Sequence, residues 1–248
     1  MRPNNRKRNR RPRVMKSPEE VRAEILDGWH PKTELGRKVK AEEITDIAQV
    51  LESGYRIMES QIVDKLVTNL GSDFINIGQA KGKFGGGKRR IFRQTQKKTK
   101  EGNKPIFTVM AVVGNHDGYV GVGIGRAKET MPARDKATRN AKLHLIQIAR
   151  GCGSWQCTCG EPHSIPFKVE GKEASVKVKF MPAPKGTGLV ADEEIKKIFK
   201  LAGIKDIWCK TTGQSRQKIN FVSATMKALK RGTRQRVVAC NLKYGSIR

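Results

Sequence analysis

Acidic residues are scarce in this chain. Asp and Glu number 23 against 51 Lys and Arg, which leaves a formal net charge of +28 over 248 residues. A self-contained globular enzyme has no need of such a field. A polyanion partner explains it, because each neutralised phosphate releases condensed counterions. Aromatics are few as well: three Trp, three Tyr and eight Phe. That argues against a single-strand binder built on stacked rings, and favours recognition of folded or double-stranded RNA through shape and backbone. No apolar run approaches the roughly 18 residues of a membrane span; the longest, Val109 to Val113, is five. The opening "MRPNNRKRNRRPRV" carries charge with no apolar stretch behind it. It reads as neither a secretory signal nor a working twin-arginine signal, so a cytoplasmic chain is expected. Cysteines number five, an odd count with three clustered, which fits poorly with a disulfide framework.

The positive charge that is present is uneven. Residues 2–13 hold seven bases and no acid, and residues 81–100 hold nine bases and no acid. Residues 19–73 hold 12 of the 23 acids against seven bases. The basic runs are the expected contact zones, and the acidic segment is expected to face solvent or another protein.

Apolar residues make up 37%, enough for two small cores. Residues 1–16 read as a disordered basic arm that orders on its partner. "SPEEVRAEIL" predicts a helix, with Ser17 as cap, Pro18 at the first helical position, Glu20 closing a capping box and Gly28 ending it. Two more helical stripes follow, Ile44-Ile47-Ala48-Leu51 and Ile62-Val63-Leu66-Val67-Leu70, each stopped by a glycine. Strands are expected near 74–77, at 91–96, at 105–114 and at 119–125, with "NHDG" turning the last pair into a hairpin. A helix is expected from about Met131 to Ala149. The second half predicts strands at 165–169 and at Ser175–Met181, where Val176, Val178 and Phe180 alternate with Lys177 and Lys179. Helices follow at 192–202 and 219–230, with a short strand "DIWCK" between them and a basic tail from Arg231. Helices, antiparallel strands and a covering helix, met twice, indicate an α+β layered fold.

Several motifs bear on function. "KGKFGGGKRR" is a glycine-rich basic loop able to lay its backbone against phosphates. "GVGIGRAKE" has G-x-G at Gly121 and Gly123, but Arg126 stands where a dinucleotide-binding loop needs its third glycine. Gly121, Gly123 and Gly125 instead share one strand face, which can admit another backbone or a packed helix. Arg126 and Lys128 leave that strand well placed for phosphates. No nucleophile elbow or deaminase pattern is present, so no enzyme is expected. His30, His116 and His144 are isolated and read as turn or surface residues.

"GCGSWQCTCGEPHSIPF" gathers Cys152, Cys157, Cys159 and His163 within 12 residues. Three thiolates and an imidazole make a full tetrahedral set for structural zinc, with no position left for water. Excess positive charge nearby is expected to lower the thiol pKa values. The alternative is a compact loop of reduced cysteines with a hydrogen-bonded His163. Cys209 and Cys240 read as simple thiols.

"VVGNHDGYVGVGIGRAKE", "MPAPKGTGLVA" and "LAGIKDIWCKTTGQSRQKINFVSA" together resemble the universal ribosomal small-subunit protein family five, in that family's order. The resemblance covers about residues 29–230. "WHPKTELGRKV" and "RGCGSWQC…GEPHSIPF" are similar to its archaeal and eukaryotic branch, and the cysteines to archaeal members. The resemblance implies a double-stranded-RNA-binding-like domain at 60–150 and a second α/β domain at 165–230 with a left-handed βαβ crossover. Around these, the residue pattern places a helical extension at 17–58, a zinc-binding connector at 151–164 and a basic tail at 231–248. It implies binding to small-subunit rRNA near the decoding region and on the side where mRNA enters, contacts with mRNA and with ribosomal proteins of families four and eight, and support of assembly and translational accuracy. No membrane and no second copy are expected as partners. The family's RNA-contacting hairpin maps to Lys88, Arg89, Arg90, Arg93, Lys97 and Lys98. Two rival readings are a free double-stranded-RNA-binding regulator and a zinc hydrolase acting on RNA. The second needs an open metal position and a general base.

Overall fold

A computed structural model of the chain describes residues 26–80, 82, 89–157 and 159–234. The N-terminal arm, most of the 17–28 helix, the triple glycine, Lys88, Cys240 and the tail beyond 234 lie outside the described residues.

Three short helices come first: α1 (Glu34–Lys40), α2 (Ile47–Glu52) and α3 (Ser60–Leu66). Thr33 caps α1, its hydroxyl accepting from the Gly36 N–H at 3.1 Å. Trp29, Leu35, Val39, Ile47, Val50, Ile57, Ile62, Val63 and Val67 form a small core of their own. Glu59 ties it together. Its carboxylate accepts from Trp29 Nε1 at 2.7 Å, from the Lys32 and Thr33 N–H groups, and from the Thr33 hydroxyl. Burial pushes this carboxyl up, but the hydrogen bonds from Thr33, Trp29 and Lys32 outweigh it and hold the pKa below its ordinary value.

The first sheet contains β1 (Gly71–Ile75), β2 (Phe92–Thr99), β3 (Gly102–Gly114), β4 (Tyr119–Ala127) and β5 (Leu145–Gln147), all antiparallel. β3 is 13 residues long, so one of its edges takes β2 along residues 102–109 and β1 along 110–114. Its other edge pairs with β4. The apolar run of β3 is buried on both faces. Val109, Ala111 and Val113 meet α4 (Thr130–Leu143), and Met110 and Val112 belong to the core shared with the second sheet. Gly121 and Gly123 let α4 press onto β4. A Cβ at Gly121 would sit 2.2 Å from Ala141 O, and one at Gly123 would sit 2.1 Å from Ala141 N. The helix expected to reach Ala149 ends at Leu143. Residues 145–147 instead pair with the free edge of β4 at Tyr119–Gly121, and Leu145 is buried in the core of the first three helices.

The second sheet has the order β6 (Val169–Glu173), β7 (Val176–Pro182), β9 (Ile207–Thr212), β8 (Leu189–Val190). β8 runs parallel to β9 and reaches it through α5 (Glu193–Ala202). The strand expected at 165–169 lies four residues later. Pro166 cannot donate to a ladder, and Ser164 is already bridged to Gly151. Val176, Val178 and Phe180 all point inward, as their alternation predicts. α6 (Lys218–Arg234) covers β6 and β7 and continues past the expected end at 230. α5 starts at Asp192, whose carboxylate accepts from the Glu194 N–H, and stops at Gly203 in the left-handed region (φ 79°).

The two sheets share α5. Phe199, Ile195 and Ile198 sit in one core with Phe180 of β7 and with Ile75, Met110 and Val112 of the first sheet. The hairpin turn between β3 and β4 caps the end of α5. His116 N–H donates to Leu201 O at 2.8 Å and Gly118 N–H to Ala202 O at 3.0 Å. The His116 ring Nδ1 lies 2.8 Å from Lys200 O. Carbonyls that the helix itself leaves without partners are thus satisfied from the other sheet.

Candidate nucleic-acid interface and metal centre

The strand register arranges the cations. Arg93 on β2 and Arg126 on β4 both lie opposite Thr108 of β3. Directly opposed residues share a face, so these two arginines flank Thr108 on the face away from α4. Lys97 lies opposite Lys104 on that same face, and both follow from the period of two. Lys98 alternates to the other side. Arg93, Lys97, Lys98, Arg126 and Lys128 are exposed. Among the described residues none of these five engages in an ion pair; Lys104 does, with Glu101 at 2.8 Å.

Arg89 and Arg90 are placed differently. Arg89 bridges Ala80 and its guanidinium donates to Arg216 O at 3.0 Å, so it links the start of β2 to the loop before α6. Arg90 is exposed, and its carbonyl accepts from the Gly78 N–H. Two further cations join Arg126. Lys136 and Arg139 of α4 line a 500 Å³ concavity beside it, with Ile124, Gly125 and Asn140. Lys104, Lys136 and Arg139 are not legible as contact residues, because only strand register sets Lys104 opposite Lys97 and only helix docking brings Lys136 and Arg139 beside Arg126.

The connector closes on itself. Gly151 and Ser164 exchange both backbone hydrogen bonds, at 2.9 and 3.0 Å. Inside that loop the ligand atoms of Cys152, Cys157, Cys159 and His163 all lie within 4.8 Å of one another. Cys157 Sγ is 3.3 Å from Cys159 Sγ and 3.8 Å from His163 Nε2. Metal–ligand bonds of about 2.0–2.3 Å put tetrahedral ligand atoms roughly 3.5–3.8 Å apart, so the four residues fit a metal ion.

The thiols differ in acidity. Cys157 is lowered to about 6, chiefly by the Lys185 backbone N–H and then by the N–H and thiol of Cys159. Cys152 is buried, and burial raises it to about 11, with further upward contributions from the neighbouring thiols. Its thiol donates to Cys157 O at 3.3 Å. The expectation that basic surroundings would lower the thiols generally is therefore corrected. Directed backbone N–H groups lower Cys157, and burial overrides the field at Cys152. Cys209 stands apart on β9 and is pushed up to about 12 by burial. His116 and His144 bond to the carbonyls of Lys200 and Asn140 and take no part in the cluster. Glu161, the carboxylate nearest in sequence, pairs with Lys185 at 2.8 Å, an interaction that lowers its pKa. Its carboxylate is thus directed to an exposed lysine.

The family pattern described as "Ribosomal protein S5, N-terminal domain" matches residues 91–149, and "Ribosomal protein S5, C-terminal domain" matches residues 171–240. "Small ribosomal subunit protein uS5" of Nanoarchaeum equitans is 51% identical over 219 residues, covering 88% of this chain and 94% of that protein. The proteins of that name from Pyrobaculum aerophilum and Methanocaldococcus jannaschii are each 45% identical over 205 residues. They cover 83% of this chain and 87% and 88% of their own lengths. With two sheets, one matched by each domain pattern, and this identity over most of its length, the chain belongs to the ribosomal protein S5 family, a structural and non-enzymatic one.

Proposed function

We propose that the chain is a structural constituent of the small ribosomal subunit. In this reading it binds small-subunit rRNA near the decoding region and on the side where mRNA enters, beside ribosomal proteins of families four and eight, in the cytoplasm, and supports assembly and accuracy. The double-stranded-RNA-binding-like domain spans 60–150, the connector 151–164 and the second domain 165–230. The observation that carries the reading is the row of unpaired cations, Arg93, Lys97 and Arg126, on one face of the first sheet. A backbone-reading surface needs cations held in register and free of competing carboxylates. Lys128 follows β4, Lys136 and Arg139 of α4 add charge beside Arg126, and Lys98 presents a further cation on the opposite side of β2. The test is the salt dependence of binding to small-subunit rRNA. Arg93→Ala with Arg126→Ala is expected to reduce the slope of log K against log salt by about 2, with the unfolding midpoint unchanged. An unchanged slope together with normal incorporation into the subunit would remove these residues from the interface.

The connector is proposed to hold structural zinc through Cys152, Cys157, Cys159 and His163. Bound there, the ion would cross-link residues 152–163 and stiffen the link between the domains. Elemental analysis of the purified chain is expected to find about one zinc per chain, lost in Cys157→Ser. Protein purified without chelator and free of zinc would leave a turn of reduced thiols. Sedimentation separates the regulator reading, since a subunit constituent travels with the small subunit and a free regulator does not.

A further inference from the structure

His163 is buried, and its ring lies between two different groups. Nε2 faces the cysteines, 3.8 Å from Cys157 Sγ. Nδ1 faces Asp206, with Oδ2 at 2.9 Å, and the two side chains are only 4% and 5% exposed. Nδ1 has no aligned hydrogen-bond partner, and this carboxylate is the acceptor beside it. The other oxygen of Asp206 accepts from the Gly186 and Gly188 N–H groups at 3.1 and 2.8 Å. Both glycines are left-handed (φ 91° and 74°), a shape that turns successive N–H groups inward. Just before them, the Lys185 backbone N–H faces Cys157 and lowers its thiol pKa. The backbone closes the arrangement, since the Lys205 and Asp206 N–H groups donate to His163 O at 2.8 and 3.1 Å.

We infer that Asp206 is the positioning residue of the metal centre. It holds the proton of His163 on Nδ1 and so leaves the Nε2 lone pair directed at the three cysteines. The inference rests on the reading of the cluster as a metal centre. A metal-binding imidazole donates its second N–H to a carboxylate or carbonyl, and loss of that partner weakens metal binding 10- to 100-fold. Here the carboxylate comes from the start of β9, outside the connector, so the second domain sets the tautomer of a ligand in the loop that joins it to the first.

Asp206→Asn isolates this role. The amide oxygen can keep the Gly186 and Gly188 hydrogen bonds, while its NH2 faces Nδ1 and favours the wrong tautomer. Reduced, metal-free full-length chain is titrated with Co²⁺, read by thiolate-to-metal absorption, and then with Zn²⁺ in competition. Asp206→Asn is expected to lower affinity about 10- to 100-fold, with the metal-free unfolding temperature unchanged. In a His163→Cys background, where no tautomer exists, the same substitution is expected to have almost no effect. Equal losses in both backgrounds, or none in either, would overturn the inference while leaving the metal centre intact. Wild-type chain that takes up no cobalt would overturn the metal centre itself and this inference with it. A measurement without mutation stands beside these: ¹⁵N spectra of zinc-loaded wild-type chain should show His163 protonated on Nδ1. Protonation on Nε2 would refute the assignment.

Discussion

The two sheets are covered by helices of opposite character. α4 lies on the first sheet through Ala133, Ala137 and Ala141, which press onto the glycines of β4 and pack beside Val109, Ala111 and Val113 of β3. α5 buries Ile195, Ile198, Phe199 and Leu201 in the core between the sheets, where Phe199 meets Phe180 edge to face at 5.1 Å. One helix is held by closeness of approach and the other by volume. α6 combines the two. It buries Phe221, Val222 and Leu229, yet Ala224 and Ala228 close over Gly171 of β6, where a Cβ would sit 2.2 Å from Ala224 O. Small residues on both partners bring backbones together and leave little room for change, whereas large ones fill a space that truncation empties.

That contrast can be tested in order of expected effect. Phe199→Ala removes the wedge that serves both sheets and should cost about 4 kcal/mol, read as a lower urea midpoint; a loss under about 1 kcal/mol would mean the shared core collapses readily. Gly123→Ala adds a single methyl, but it meets Ala141 N and Ala137 O at 2.1 and 2.5 Å, so α4 must shift. A cost of about 3 kcal/mol is expected; a neutral result would show that α4 rides loosely on β4. The caps divide the helices again. Asp192 accepts from the Glu194 N–H, whereas Glu129 at the start of α4 makes no side-chain cap bond. Asp192→Ala should therefore cost about 1 kcal/mol, and Glu129→Ala should stay within about 0.5 kcal/mol. Equal effects would mean that the caps do not distinguish the helices.

Much of this arrangement is legible in the chain because it is local. The start and stop of α5 follow from Asp192 and Gly203, the inward side of β7 from strict alternation, and the hairpin from "NHDG". The glycines of β4 announce a close neighbour, and Ala133, Ala137 and Ala141 at helical spacing supply it. The three cysteines and the histidine of the connector fall within 12 residues, so their gathering follows from the sequence. α4 ends earlier than its pattern predicts, because Leu145, Ile146 and Ile148 are apolar enough to continue a helical stripe. Pairing with β4 outweighs that preference, and nothing nearby in sequence encodes it.

By itself the sequence determined the basic character, the layered α+β plan, a glycine face on β4 open to a close neighbour and the clustering of three cysteines with a histidine, since each follows from composition or from spacing over a few positions. Tertiary structure alone decided what is distant along the chain. It brought Arg93 and Arg126 to either side of Thr108, set Lys136 and Arg139 beside Arg126, and capped α5 with His116 and Gly118 from the other sheet. It also set Asp206 against His163 across 43 positions. A lone aspartate in "GIKDIW" carries no signal of that role, because hydrogen bonds and charge act over a few ångströms of space, and only folding turns sequence separation into such a distance.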